Sequence, residues 1–293
     1  TGFPITQAPL DLYSQTEVLS PSLLGFTSFY SFQNHYGQVV KRHFGARSFR
    51  QVVGYQNLEE LSERVDRFSY RVLKKECLDL PDKVYLRREV ELTPEQKKVY
   101  GELKEYAIAE LGEMEQVSVN NVLTQMLRLH QVVCGYTKTD EGTEIPIENN
   151  RLDELINVIG EMRGKIIIWA NYRHNIKEIV ETMQELGGPS CVAGYYGDTS
   201  DEERERVIEH FQDPDSELRY FVGNTQTGGY GITLTQAQNV IYYSNNFDLE
   251  KRLQSEDRAH RIGQTNKVTY VDLVAPKTVD ENIVKALRNK LDL

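Results

Sequence analysis

Residues 165–169 read Lys-Ile-Ile-Ile-Trp, a short apolar run that indicates a strand buried on both faces of a parallel sheet. The next segment, residues 175–186, has apolar residues at helical spacing and is followed by Gly187-Gly188. The same alternation continues along the chain, with further strands predicted at residues 191–196, 219–223, 239–243 and 267–274. Strands separated by helix-length segments imply right-handed parallel crossovers. The sequence therefore predicts a three-layer α/β sandwich from residue 151 onward.

Two short patterns mark the starts of helices in this half of the chain. Ser200 with Glu203, and Thr278 with Glu281, have the spacing of a capping box. In such a box, the hydroxyl and the carboxylate satisfy backbone N–H groups that have no partner within the helix. We expect one helix to follow each box.

The first 150 residues have a different pattern. Helical spacing runs through residues 57–79 and 94–133, and residues 84–92 alternate apolar and charged residues as a strand does. Residues 10–50 are dense in Tyr and Phe, which could stack on bases but are better explained as the core of a helical subdomain. Residues 140–150 are polar and acidic, as in a linker. This half is predicted to be mostly helical.

Composition excludes several classes of protein. The net charge is −10, which argues against a protein that coats nucleic acid by bulk electrostatics, so DNA binding has to be argued from particular sites. No apolar run is long enough for a membrane span, and no leader is evident, so an intracellular protein is expected. The chain begins with Thr1, which suggests a piece of a longer protein.

The cysteines do not indicate a metal or disulfide framework. Cys77, Cys134 and Cys191 are odd in number and far apart, and we expect buried free thiols in a reducing compartment. His130 with Cys134 is interpreted as a lone pair without partners, and no metal ligands are assigned.

The most informative stretch for chemistry is residues 254–264, Gln-Ser-Glu-Asp-Arg-Ala-His-Arg-Ile-Gly-Gln. Arg258 and Arg261 stand three apart, so on a helix they would project from one face. Guanidinium groups match phosphate oxygens and stay charged, as a site for phosphoryl transfer requires. Gln254, one turn earlier, falls near the same face and could order a water or a phosphate. Two arginines on a helix are also common as surface salt-bridge partners.

Two turns at strand ends are weaker candidates. The glycine-rich turn of residues 224–231 follows a predicted strand, and its backbone N–H groups or Thr225 could contact a phosphate; a tight connection without ligand is the alternative. Gly197 and Thr199 stand at the carboxyl end of another strand, where α/β sheets bind ligands. Phosphate contact and helix capping both remain open for Thr199.

Several motifs in one order carry a resemblance to a known family. Asp-Arg-Ala-His-Arg-Ile-Gly-Gln, residues 257–264, resembles the last motif of Swi/Snf-type superfamily 2 DNA translocases and helicases. Residues 225–234 resemble the fifth motif, residues 165–171 the fourth and residues 1–7 the third. Shorter matches follow the family's order at residues 23–25, 71–75, 80–83, 91–96 and 126–131. The departures from the family pattern are Phe3, Tyr196, Gln226, Thr233 and Phe247.

The resemblance implies a RecA-like helicase C-terminal lobe at residues 151–293. Residues 1–92 would then be a remnant of the first lobe with a helical protrusion, and residues 93–150 a helical insertion and linker. It implies three groups of site residues: Arg258, Arg261 and Gln254 as catalytic, Gly229, Gly231 and Asp257 at ATP, and Thr225, Gly228, Asn171, Arg173, Gly197 and Thr199 at DNA. Double-stranded DNA and ATP are the expected partners, and a monomer is expected.

The chain contains neither a G-x-x-x-x-G-K-[ST] phosphate loop nor an Asp-Glu-x-His type acidic box. ATP and Mg²⁺ are therefore expected to bind mainly to a missing N-terminal lobe, and this piece alone is expected to be inactive. The parent protein is predicted to be an ATP-driven translocase on duplex DNA. The alternatives are a strand-separating superfamily 2 helicase and a non-catalytic module that binds DNA or a protein partner.

Overall fold

The computed structural model describes residues 5, 8–44, 47–70, 72, 77–113, 119–139, 141–227 and 231–291. The segment predicted to match the third motif (residues 1–7) and the shorter match at residues 71–75 thus lie largely outside the described residues. Gly228 and Gly229 also lie outside them. Within the described part, no helix is long and apolar enough to span a bilayer. The chain forms two compact units, residues 1–78 and 79–293.

The smaller unit combines three helices with an antiparallel hairpin. The helices are α1 (Asp11–Leu19), α2 (Phe29–Tyr36) and α3 (Leu58–Asp66), and the strands are β1 (Gly37–Phe44) and β2 (Arg47–Tyr55). Many of the aromatic residues form its core, where Phe32 and Tyr36 are fully buried. The expectation of a mostly helical first half is therefore incomplete, because it omitted this hairpin. Its strands lack a clear alternation of apolar and polar residues, and Val39 lies opposite Val52 only once they are paired.

The larger unit is built on one six-stranded parallel sheet with the order β3-β10-β9-β6-β8-β7. Its strands are β3 (Lys83–Glu89), β6 (Lys165–Trp169), β7 (Val192–Tyr195), β8 (Tyr220–Gly223), β9 (Ala237–Tyr242) and β10 (Val268–Val274). The predicted parallel sheet is confirmed. β3 groups with this sheet, so the compact unit begins before residue 92, where the first predicted segment ends.

Helices lie on both faces of the sheet. The helices described in this unit are α4 (Pro94–Glu113), α5 (Val119–Val133), α6 (Arg151–Gly160), α7 (Arg173–Gly187), α8 (Asp201–Gln212), α9 (Leu249–Ala259) and α10 (Val279–Leu291). A short pair, β4 (Tyr136–Lys138) and β5 (Glu144–Pro146), lies between α5 and α6, and a 3₁₀ turn (Pro189–Cys191) follows α7.

Strand β6 shows why the sandwich has three layers. Ile166 and Ile168 pack into the apolar cluster that includes residues of α6 and α7, whereas Ile167 and Trp169 pack into the cluster that includes residues of α8 and α9. All four side chains are fully buried. Period-two alternation between two apolar clusters requires a strand that is covered on both faces, as the sequence predicted.

Both predicted capping patterns are used, in different ways. The Ser200 hydroxyl accepts a hydrogen bond from the Glu203 N–H at 3.3 Å at the start of α8. At the start of α10, Thr278 instead accepts from the Asp280 N–H at 3.2 Å, and Glu281 accepts from the Lys277 N–H at 2.9 Å. Both hydroxyls satisfy backbone N–H groups at a helix start.

A buried ionic network corrects the interpretation of His130 and Cys134. His130 Nδ1 lies 2.7 Å from the Tyr172 hydroxyl, and Nε2 lies 3.5 Å from Asp280 Oδ1 and 3.9 Å from Cys134 Sγ. Asp280 is also paired with the fully buried Arg151. His130 is therefore a core residue with several partners. Of the three thiols only Cys134 is buried, and Cys77 is exposed.

Candidate functional site

The paired arginines converge on one carbonyl group. Helix α9 ends at Ala259, so Arg258 lies in its last turn and Arg261 lies in the turn beyond it. The expectation that both project from one helix is thus wrong for Arg261, because the backbone leaves the helical conformation at His260, with a φ of −101° and a ψ of 80°. Nevertheless, Arg258 and Arg261 Nη1 both donate to the Ile232 carbonyl oxygen, at 3.2 Å and 3.4 Å.

The two guanidinium groups influence each other electrostatically. Burial lowers the pKa of Arg258, and the positive charge of Arg261 lowers it further. The shift records the cost of placing two cations close together in a partly desolvated position. An anion beside them would relieve that cost, as a phosphate oxygen does at an arginine pair.

Helix α9 is fixed to the sheet by a second buried ionic network. Glu256, which is 1% exposed, accepts from Lys83 Nζ at 3.0 Å, from the Tyr85 hydroxyl at 2.7 Å and from Arg252 Nε at 2.9 Å. Arg252 in turn is paired with Asp272. Burial alone would raise the pKa of Glu256, but Arg252 and Lys83 lower it. Arg258 is thereby carried on a rigid element.

The remaining residues of the arginine segment have structural contacts. Gln254 Nε2 donates to Glu250 Oε1 at 2.7 Å, and Asp257 Oδ1 lies 4.0 Å from Lys83 Nζ. Their predicted roles at ATP stay predictions. The side-chain amide of Gln264 donates to the carbonyl oxygens of Thr235 and Ala237, both at 3.0 Å. It thus joins the end of this segment to the chain that follows the glycine turn.

The glycine turn is held at its start by Asn224. Asn224 Nδ2 donates to the Asn171 carbonyl oxygen at 2.8 Å, and its Oδ1 accepts from the Gln226 N–H at 2.7 Å. The Asn224 N–H donates to the Tyr195 carbonyl oxygen at 3.3 Å. One residue thus joins the ends of β6, β7 and β8, through its side chain and its backbone N–H. Thr225, the next residue, is buried.

Gly231 adopts a φ of +74°, in the left-handed region that favours glycine. A Cβ atom there would meet nothing within 4 Å, so the requirement for glycine is conformational rather than steric. Gly228 and Gly229 lie outside the described residues, and their predicted contacts stay predictions.

Arg173 and Gly197 are brought together at the carboxyl edge of the sheet. Arg173 Nη1 lies 2.9 Å from Asp198 Oδ1, and a Cβ atom added at Gly197 would lie 2.7 Å from Arg173 Nη2. The Arg173 side chain is 63% exposed, so it can reach a ligand. Asn171 is fixed through its N–H, which donates to Ser244 Oγ at 2.8 Å.

Thr199 is used within its own turn. Its hydroxyl donates to the Gly194 carbonyl oxygen at 3.3 Å and accepts from the Tyr196 N–H at 3.2 Å. Ser200, and not Thr199, caps α8. The observed role is therefore turn formation, and a phosphate contact by Thr199 stays a prediction.

Two groups of predicted site residues result. The first group follows the carboxyl ends of β6 and β7 and consists of Asn171, Arg173, Gly197 and Thr199. The second is the arginine pair at the Ile232 carbonyl, and the turn that begins at Asn224 connects the two.

The sequence did not single out Asn224 and Glu256, although both stand inside the motifs quoted above. Polar residues at strand ends and acidic residues between arginines are too common to be singled out without their contacts.

The site suits phosphate better than a metal ion. Among the described residues, no group of three or more His, Cys, Asp and Glu side chains could hold a metal. The paired guanidinium groups fit phosphate oxygens instead. If MgATP binds, this chain's residues would contact the phosphates rather than supply a set of ligands to Mg²⁺.

Comparisons with known proteins agree with this geometry. Residues 149–263 match the model of the helicase conserved C-terminal domain, and residues 1–137 match that of the SNF2-related domain. The large unit is therefore a RecA-like lobe of the superfamily 2 helicase class. Within that class, the chain belongs to the Swi/Snf-type, or SNF2-related, family.

The relatives are much longer than this chain. An uncharacterized ATP-dependent helicase of Mycoplasma pneumoniae is 28% identical over 100% of this chain, which spans 27% of that protein. The SWI/SNF chromatin-remodeling complex subunit snf22 of Schizosaccharomyces pombe is 27% identical over 77% of this chain and 14% of its own length.

Solved structures resemble the fold. The Sulfolobus solfataricus SWI2/SNF2 ATPase core in complex with dsDNA has a TM-score of 0.58 and 26% identity, over 96% of this chain and 58% of that chain. The C-terminal domain of a Sulfolobus solfataricus SWI2/SNF2 ATPase has a TM-score of 0.56 and 22% identity, over 72% of this chain and 88% of that chain. The second likeness concerns the fold alone.

Proposed function

We propose that this chain supplies the second RecA-like lobe of an ATP-driven translocase on double-stranded DNA. The observation that carries the proposal is the convergence of Arg258 and Arg261 on the Ile232 carbonyl oxygen. Two guanidinium groups in one place can neutralise the charge that develops on a phosphoryl group in transfer. The two relatives described above, an ATP-dependent helicase and a chromatin-remodeling complex subunit, support the same assignment.

In this proposal, ATP and Mg²⁺ are held mainly by a preceding RecA-like lobe outside this chain. Arg258 and Arg261 approach the terminal phosphate when the two lobes close, and Gln254 orders a water or phosphate beside them. Because the guanidinium groups stay charged at neutral pH, they need no proton transfer to act. A translocase that acts on chromosomal DNA would work inside the cell.

The DNA grip would lie at the carboxyl edge of the sheet. Arg173 offers a charged, exposed side chain there for the sugar–phosphate chain, and Asn171, Gly197 and Thr199 lie at the same edge. The glycine turn starts beside Asn171 and reaches the Ile232 carbonyl group. A shift of the arginine pair on ATP hydrolysis would therefore be transmitted to the DNA contacts through this turn.

The decisive test is ATP hydrolysis by the complete natural protein, with and without duplex DNA, compared with this chain alone. Arg261→Ala and Arg258→Ala are each expected to lower the duplex-stimulated rate by about a thousandfold, the usual effect of losing an arginine finger. Arg206→Ala, which removes an exposed arginine of α8, is the matched control and should keep the rate. An unchanged rate in Arg261→Ala would refute the proposed role of the pair.

A strand-separating helicase is the second candidate, because the mycoplasma relative is named a helicase. A forked substrate discriminates between the two. Release of a labelled strand, with no greater stimulation by duplex than by single strands, would select the helicase. If neither the complete protein nor this chain hydrolyses ATP, a non-catalytic module that binds DNA or a protein partner takes over.

A further inference from the structure

A stretch of the smaller unit has a charge opposite to that of the whole chain. Between Glu17 and Glu59 there is no Asp or Glu, although 44 of the 293 residues are acidic and the net charge is −10. The same stretch contains Lys41, Arg42 and Arg47, followed by Arg50. The stretch is therefore positive on a negative protein, as in a surface that meets a polyanion.

These four basic residues all lie in the hairpin of β1 and β2. Lys41 is paired directly with Arg50, and Phe44 with Arg47, at the end where the two strands connect. Eight paired residues extend for about 26 Å, so the basic end reaches well away from α2. Like charges directly across two antiparallel strands destabilise the pair unless an anion lies beside them.

Among the described side chains of the smaller unit, no ion pair joins an acidic group to Lys41 or Arg50. Glu60, on the helix that follows, is paired with His35 Nε2 at 2.8 Å and with Arg64 Nη2 at 2.7 Å. Arg50 instead donates to Asn34 Oδ1, and its guanidinium carbon lies 5.8 Å from the centre of the Tyr30 ring. Tyr30 is 64% exposed. An exposed aromatic ring beside an exposed arginine is typical of nucleic-acid surfaces.

We propose that the β1–β2 hairpin binds the phosphate backbone of duplex DNA as a contact separate from the carboxyl edge of the large sheet. This inference rests on the proposed function, which supplies duplex DNA as the partner. Neighbouring residues of a strand alternate between its two faces, so Lys41 and Arg50 share one face of the hairpin and Arg42 and Arg47 the other. The basic end can therefore meet phosphates on either side of it, as it would in a groove of the duplex. The contact reads no base sequence, because the described residues at this end offer charge rather than a base-reading helix.

The test compares three variants of this chain for binding to a fluorescent 30-base-pair duplex by anisotropy at several salt concentrations. Lys41→Gln/Arg42→Gln/Arg47→Gln removes three hairpin charges and leaves Arg50 with its partners. Lys97→Gln/Lys104→Gln/Lys177→Gln removes three exposed charges elsewhere and is the matched control. Arg42→Lys/Arg47→Lys keeps the hairpin charge.

The hairpin variant should bind about tenfold or more weakly, with a slope of log K against log salt that is smaller by about 2 to 3. The charge-matched control and the Lys variant should bind as the unmodified chain does, and circular dichroism should show the same melting for all. An unchanged affinity and slope in the hairpin variant would overturn the inference. The inference would also be overturned if the hairpin variant lost affinity only for single-stranded DNA of equal length. The same holds if polyglutamate displaced the labelled duplex as well as unlabelled duplex does.

The same hairpin variant in the complete protein separates this inference from the proposed function. If duplex DNA stimulates ATP hydrolysis, the variant should need about tenfold more duplex for half-maximal stimulation, with its basal rate unchanged. Stimulation at the same duplex concentration would overturn the hairpin contact and leave the translocase standing. Absence of any stimulation in the unmodified protein would refute the translocase and, with it, this inference.

Discussion

At the scale of single residues, Gln264 joins the arginine segment to the rest of the lobe. Its amide nitrogen lies 3.0 Å from the carbonyl oxygens of Thr235 and Ala237, and 3.1 Å from that of Ala259. Its Oε1 accepts from the Asn266 N–H at 2.9 Å. Gln264, Ala237 and Ala259 are buried, so the carbonyl oxygens of these two alanines cannot turn to water instead.

Gln264→Ala should lower the free energy of unfolding by about 1–3 kcal/mol, since it leaves buried carbonyl groups without a donor. Urea unfolding followed by circular dichroism measures the change. Gln226→Ala is the control, because that residue is exposed and the change should cost little. Equal stability of the two variants would contradict the role assigned to Gln264.

The sequence predicted the arginine pair but not its geometry. Spacing alone placed both residues on one helix, yet α9 ends before Arg261. The backbone leaves the helix at His260, whose φ of −101° and ψ of 80° are not helical, and the spacing of the arginines carries no signal of that end. The Ile232 carbonyl could not be predicted as the common partner, because it belongs to a segment that is remote in sequence.

At the scale of elements, a buried charge network joins α5, α6 and α10. Burial opposes the charge on His130, but Cys134 and Asp280 raise the pKa of His130 to about 9. Burial would raise the pKa of Asp280, but Arg151 and His130 lower it. His130 therefore stays protonated at neutral pH in the folded protein and becomes neutral on unfolding.

The pH dependence of stability follows from this difference. The contribution of His130 is complete below its ordinary pKa of about 6.5 and is lost as the pH rises through about 9. The unfolding free energy should fall over this range by at most about 3 kcal/mol. His130→Gln should remove that slope and His210→Gln, an exposed control, should retain it. Urea unfolding at several pH values decides between them.

Elements differed in how far the sequence predicted them. β6 was predicted with its observed bounds, because an unbroken apolar run can be covered only on both faces. The β1–β2 hairpin was missed, because its valines pair across a connection without a strong turn signal. Val39 opposite Val52 becomes meaningful only when the strands are paired.

At the scale of the whole molecule, strand β3 decides where the large unit begins. β3 pairs along its full length with β10, and Lys83 and Tyr85 hold Glu256. The two strands are neighbours in the sheet although 178 residues separate them in sequence. The smaller unit, residues 1–78, contributes no strand to this sheet among its described residues. The large unit is therefore one continuous stretch of sequence, residues 79–293, whose sheet already includes a strand near its beginning.

Residues 79–293 alone should unfold in one cooperative transition, whereas residues 93–293, which lack β3, should not. Without β3, the edge of β10 is unpaired and open to pairing with a second copy. Size-exclusion chromatography should show the shorter chain as dimers and larger species, and the longer chain as a single smaller species. A shorter chain with the same elution state and the same melting temperature would show that β3 is dispensable.

The position of β3 also has a consequence in time. A ribosome adds about 5–20 residues per second, so β3 would wait on the order of 10–40 s before β10 has been made. During that wait its Val84, Tyr85 and Leu86, which stay 37–49% exposed even after folding, have no partner strand. Nascent chains of this protein thus carry an unpaired, partly apolar strand while the 178 residues between β3 and β10 are synthesised, which suits a chaperone that binds extended segments.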